Sequence, residues 1–128
     1  MIRLRVFGAL VALASPAVAS EPSLTGDWAR GDGKTRVRIE RCGRAYCAMN
    51  IWIRAGTRGE KVGDKLVVTV SPSGPSVLTG EGFDPQRNQT YSIRIEMGEQ
   101  TMTTRGCVAN GLLCETMSWK RLGSPAPD

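Results

Sequence analysis

Hydrophobic and polar residues alternate with a period of two along most of the chain. In "TRVRIE" (35–40), Val37 and Ile39 fall on one face and Arg36, Arg38 and Glu40 on the other. "TYSIRIEM" (90–97) sets Tyr91, Ile93, Ile95 and Met97 against Ser92, Arg94 and Glu96. That period marks a strand with one face on a core and the other in water. Runs of similar character cover 24–29, 47–54, 65–70, 77–83, 101–108 and 112–122. Between them lie clusters of turn formers: "RGDGK", "CGRAYC", "GTRGEKVGD", "SPSGP", "DPQRNQ", "GEQ" and "ANG",. No stretch carries the 3.6-residue period of an amphipathic helix. About eight short strands with short links predict an all-β fold, a small antiparallel up-and-down barrel, because closure removes the exposed sheet edges. Residues 21–122 read as its single domain and "GSPAPD" (123–128) as a disordered tail,.

The four cysteines sit at two of these bends. Asn110-Gly111 is the strongest two-residue hairpin signal, since a type I′ turn needs positive φ at both central positions. Centring the turn there pairs Val108 with Leu113 and Cys107 with Cys114, close enough for a disulfide,. The same logic pairs Cys42 with Cys47 across "CGRAYC". Four-cysteine zinc sites use closer knuckle spacing, and redox pairs prefer C-x-x-C at a helix start, so two structural disulfides are expected and no metal or cofactor. In the second hairpin Met102 then meets Trp119, and Thr104 meets Met117, on the inner face, with Arg121 pointing the same way. Glu115 falls opposite Gly106, at a barrel mouth or a local bulge. In the first, pairing Cys42 with Cys47 sets Val37 against Trp52 and Ile39 against Asn50 inside. That leaves Met49, Ile51 and Ile53 outside, where an apolar stripe implies either a bulge that swaps the faces or a partner surface.

The amino terminus supplies a compartment. "MIRLRVFGALVALASPAVAS" has two early arginines, an apolar run ended by Ser15-Pro16 and the small-x-small pattern Ala17-Val18-Ala19. It reads as a secretory signal peptide over 1–20, cleaved after Ala19 or Ser20, and is too short to span a bilayer. Export to the periplasm suits an even cysteine count. The precursor's formal charge of +5 includes Arg3 and Arg5; without them it is +3, which is no nucleic-acid signature,. The excess is concentrated in 30–65, with ten basic and four acidic residues. A basic hairpin of that kind is either a solvated face or a contact for envelope polyanions.

Taken together, "GDW", "RVRIERCGRAYCAMNIWI", "FDPQRNQTY" and "TRGCVANGLLCETMSWKR" resemble a bacterial exported family catalogued as domain of unknown function 2147, over nearly the whole mature chain. The resemblance implies a lipocalin-like barrel in which a G-x-W on the first strand packs under a basic residue of the last. Carried over, Trp28 of Gly26-Asp27-Trp28 would meet Arg121 at the barrel base. Two departures stand out: the stretch "RAGTRGEKVGDKLVVTVSPSGPSVL" is contracted, and Asn50 replaces an aliphatic residue.

Reactive chemistry is sparse. There is no histidine, so no ordinary Ser-His-Asp arrangement can form, and an enzyme is not expected. Asp84-Pro85 reads as a capped turn, and Gly80 and Gly82 as relief of crowding at a barrel bend. The leading expectation is a non-enzymatic periplasmic barrel that binds a small apolar or amphiphilic ligand. Its candidate wall is Trp52, Val68, Tyr91, Ile93, Ile95, Met102, Met117 and Trp119, with Asn50, Thr104 or Glu115 orienting the ligand. The alternative is an envelope module, docking a protein or a second copy through Met49, Ile51 and Ile53 or an anionic polymer through the basic hairpin.

Overall fold

The structure, a computed structural model, describes residues 23–123 and, before them, Gly8. The signal peptide expected over 1–20 and the tail expected over 123–128 lie outside the described residues, Gly8 and Gly123 apart.

Eight antiparallel strands follow one another around a closed barrel: β1 (Gly26–Arg30), β2 (Thr35–Cys42), β3 (Ala45–Ile53), β4 (Lys65–Gly74), β5 (Val77–Asp84), β6 (Gln89–Met97), β7 (Thr101–Val108) and β8 (Leu113–Leu122). β1 pairs with β8 from Asp27↔Leu122 to Arg30↔Trp119 and so completes the ring. Alternation governs the strands as the sequence predicts. Thr35, Val37 and Ile39 of β2 are buried while Arg36, Arg38 and Glu40 are exposed.

The β7–β8 hairpin has the expected register, with Val108↔Leu113, Cys107↔Cys114, Gly106↔Glu115, Thr104↔Met117 and Met102↔Trp119. Its turn has positive φ at Asn110 and Gly111 as anticipated, and at Ala109 as well. The amide of Leu112 donates to the carbonyl of Ala109 at 3.2 Å. Both disulfides form, Cys42–Cys47 and Cys107–Cys114.

The β2–β3 hairpin differs from expectation in register. Its turn takes only Gly43 (φ 66) and Arg44, so Cys42 lies opposite Ala45, and Cys47 opposite Glu40. The disulfide is therefore diagonal, spanning 5.8 Å between Cα atoms. A slip of two residues leaves the facing unchanged, and Tyr46, Ala48 and Asn50 lie on the inner side,. A bulge at Ile51 then swaps the faces. Trp52 pairs with Arg36, points outward at 40% exposure and carries the Arg36 guanidinium 4.9 Å from its ring centroid. Ile53 pairs with Thr35, which is 1% exposed. The bulge corrects one expectation, since Trp52 is not part of an inner wall, and it is the first of the two alternatives left open for Met49, Ile51 and Ile53, which do not form one outward stripe. The physical cause is local, since one extra residue inverts every side chain beyond it.

"SPSGP" is mostly strand. β4 runs on to Gly74, and only Pro75 and Ser76 turn, with Ser76 at φ 58. Pro72, which has no amide to donate, lies at a register irregularity, where a missing ladder bond is tolerated,.

One end of the barrel is closed. Leu24 and Trp28 fill it, and Trp28, with no exposed surface, donates its indole N–H to the carbonyl of Leu24 at 2.9 Å. Arg121 is 4% exposed, and its guanidinium carbon sits 4.2 Å from the Trp28 ring centroid. That guanidinium also donates to the carbonyls of Thr25 (2.9 Å), Ser23 (2.6 Å) and Glu99 (3.4 Å). Gly26, at φ 125, turns the entering chain into β1.

Candidate ligand cavity

The strands enclose a cavity of about 520 Å³. Its wall is built by the inward positions of successive strands: Val68 of β4, Ile93 and Ile95 of β6, Met102 of β7, and Met117 and Trp119 of β8. Gly106 enlarges it. A Cβ on Gly106 would meet only the Cδ1 of Tyr91, at 4.0 Å. A Cβ on Gly80 would overlap the Thr69 carbonyl oxygen, so at that position the glycine is needed for the strands to approach,.

Ten of the eleven wall residues expected from the sequence line this space. Besides those six, Asn50, Tyr91, Thr104 and Glu115 reach it, and Trp52 is the exception. Thr104 accepts the Trp119 indole N–H at 2.9 Å, which fixes that ring. Asn50 donates from its side-chain amide to the Lys61 carbonyl at 3.2 Å. Its backbone meets Asp64 and Gly63 at 2.9 and 2.8 Å. Its polarity thus serves the β3–β4 loop, residues 54–64. Glu115 lies at the mouth; no bulge interrupts its pairing with Gly106.

Sequence reasoning missed Tyr46, Ala48 and Leu66, which also line the cavity. Tyr46 was hidden because the expected register left it in the connection rather than in β3, whereas Ala48 alternates in step with Asn50 and was legible in principle. Leu66 was legible in principle, since it alternates in step with Val68 and Val70.

The mouth lies at the end opposite Trp28 and Arg121 and is polar. The β3–β4 loop is tied across it by Glu60, which accepts two bonds from the Arg30 guanidinium at 2.6 and 2.8 Å and one from the Thr35 hydroxyl at 3.1 Å. Arg30 also donates to Asp32 at 2.9 Å. The hydrogen bonds to Glu60 hold the Arg30 guanidinium protonated well above its ordinary range, and in return Arg30 depresses the Glu60 carboxyl. Asp84 caps the β5–β6 turn by accepting from the backbone of Gln86 (2.9 Å) and Arg87 (3.1 Å) and from the Arg87 guanidinium (2.8 Å). Burial pushes the Asp84 carboxyl up, but these bonds outweigh it and leave the group below the usual range. Arg87 also donates to the carbonyl of Gly59, a second tether on the same loop. Among the described residues no buried side-chain polar atom lacks a hydrogen-bond partner.

The arrangement is a closed barrel with a Trp–Arg floor, an unfilled apolar interior and a polar mouth. Residues 26–121 match the model of a family described as an uncharacterized protein conserved in bacteria (DUF2147). The chain belongs to that family. The match runs from the first residue of β1 to Arg121, so it takes in both halves of the Trp28–Arg121 floor, both disulfides and all of the cavity lining except Leu24. No curated protein and no solved structure matches the chain.

Proposed function

We propose that this member of the family is a non-enzymatic exported barrel that holds a small amphiphilic molecule, its apolar part against the β6–β8 wall and its polar part at the mouth. One observation carries the reading: the interior is open rather than packed. Eight-stranded barrels either fill with their own side chains or hold one small ligand, and about 520 Å³ falls within the ~300–1,000 Å³ common for such sites. Mostly apolar walls with a few polar groups suit a ligand bound by burial and oriented by its head. The two disulfides favour an oxidising, exported setting,. Asp84 and Glu60 are held by arginine partners and the cysteines are bonded, which leaves binding as the simpler use of the site.

The test is uptake of N-phenyl-1-naphthylamine, a dye that brightens when it leaves water for an apolar space. The natural protein should brighten it with saturable, one-to-one binding. Gly106→Ile should abolish that signal, because its side chain enters the cavity from a strand position where an added Cβ would meet only the Cδ1 of Tyr91, at 4.0 Å. A dye that stays dark with the natural protein, or brightens equally with the variant, sinks the proposal.

A further inference from the structure

The mouth specifies the polar end of such a ligand, an inference that rests on the cavity reading above. Arg30 is shared between Glu60 and Asp32, so that group keeps one negative charge in excess. Arg87 and Asp84 cancel. Of the other charged side chains lining the cavity, Asp64 and Glu115 are acidic and Lys65 is basic. The cavity's charged lining therefore carries a net charge of −2, from five carboxylates and three cations, inside a chain whose overall charge is +5.

The distribution matters more than the sum. Both guanidinium groups are already engaged, so an anionic head would have to break an ion pair or rely on Lys65 alone. A cationic head meets a different situation at Glu115, whose carboxylate makes no ion pair or hydrogen bond among the described residues. Opposite Glu115 in the ladder stands Gly106, and the Cδ1 of the Tyr91 ring lies 4.0 Å from where a Cβ on that glycine would sit. A carboxylate and an aromatic ring thus flank one point of the mouth. That pairing suits an ammonium, and better a quaternary ammonium, through charge attraction and the negative face of the ring.

We propose that the cavity selects amphiphiles with a positively charged head group, recognised by Glu115 together with the ring of Tyr91.

Three single-chain surfactants of equal tail length separate the head-group classes, each used below its micelle concentration to displace N-phenyl-1-naphthylamine from the full exported chain. Dodecyltrimethylammonium should displace the dye at ~10-fold lower concentration than dodecyl sulfate or dodecyl maltoside. Glu115→Gln should shrink that preference to ~2-fold with dye uptake intact, and Glu115→Lys should reverse it. Added salt should weaken the preference without affecting the maltoside. Equal displacement by all three, a preference for the sulfate, or a cationic preference that survives Glu115→Lys overturns the proposal while leaving the cavity reading in place. A dye that never enters the natural protein removes both.

Discussion

Arg121 is the residue on which the closed end turns. Burial lowers its pKa, yet three backbone carbonyls and the Trp28 ring hold the guanidinium in place. Hydrogen bonds to a charged group are each worth ~1.5–3 kcal/mol, against which the desolvation of the charge must be set. Arg121→Met should therefore lower stability by about 3 kcal/mol in urea unfolding. Arg121→Lys should recover little, because an ammonium cannot stack flat on the indole and reach three carbonyls at once. A loss under about 1 kcal/mol for the methionine variant would show that the floor does not depend on it. Trp28 and Arg121 were marked by the family resemblance, and Arg121 also by the β7–β8 register. The carbonyls that hold Arg121 were not legible, since Ser23, Thr25 and Glu99 come from segments distant in sequence.

At the level of elements, two glycines of β5 look equivalent in sequence and are not. A Cβ on Gly80 would overlap the Thr69 carbonyl oxygen and lie 2.9 Å from the Val70 Cα, both backbone atoms. A Cβ on Gly82 would instead overlap the Cδ1 of Ile93, the end of a side chain able to rotate. Gly80→Ala should be more destabilising than Gly82→Ala by about 2 kcal/mol, because the backbone cannot yield without spoiling the β4–β5 ladder. Equal unfolding midpoints for the two variants would refute that reading. The hairpins show the same split between legible and hidden. Asn110-Gly111 encodes its own turn geometry, so the β7–β8 register follows from local conformation. "CGRAYC" contains no comparable two-residue signal, and the diagonal Cys42–Cys47 bond is compatible with a register two residues away from the symmetric one.

For the whole molecule, the mouth should make stability depend on acidity. Glu60 and Asp84 both have carboxyl groups depressed in the folded state. A depressed folded pKa adds stability that is complete above the unfolded value and is lost as pH falls through the folded one. Urea midpoints should stay level from about pH 7 to 5 and fall below about pH 4, where the unfolded carboxylates begin to bind protons more readily than the folded ones. Glu60→Gln should make the acid decline shallower by removing one of the depressed carboxyls, which also include Asp32 beside the same Arg30. A decline of unchanged steepness would mean that the Arg30–Glu60 pair does not hold the β3–β4 loop across the mouth in solution.

The amino-acid order alone determined the strands, the barrel class, the two cysteine pairings and most of the inner wall, because a period of two and a turn such as Asn-Gly act over a few residues. The tertiary structure decided the rest: the Ile51 bulge, the outward turn of Trp52, the Arg30–Glu60 tether across the mouth and the size of the interior. These depend on how eight strands are staggered when β8 returns to β1. That stagger minimises strain and voids over the entire ring, so no single segment carries it.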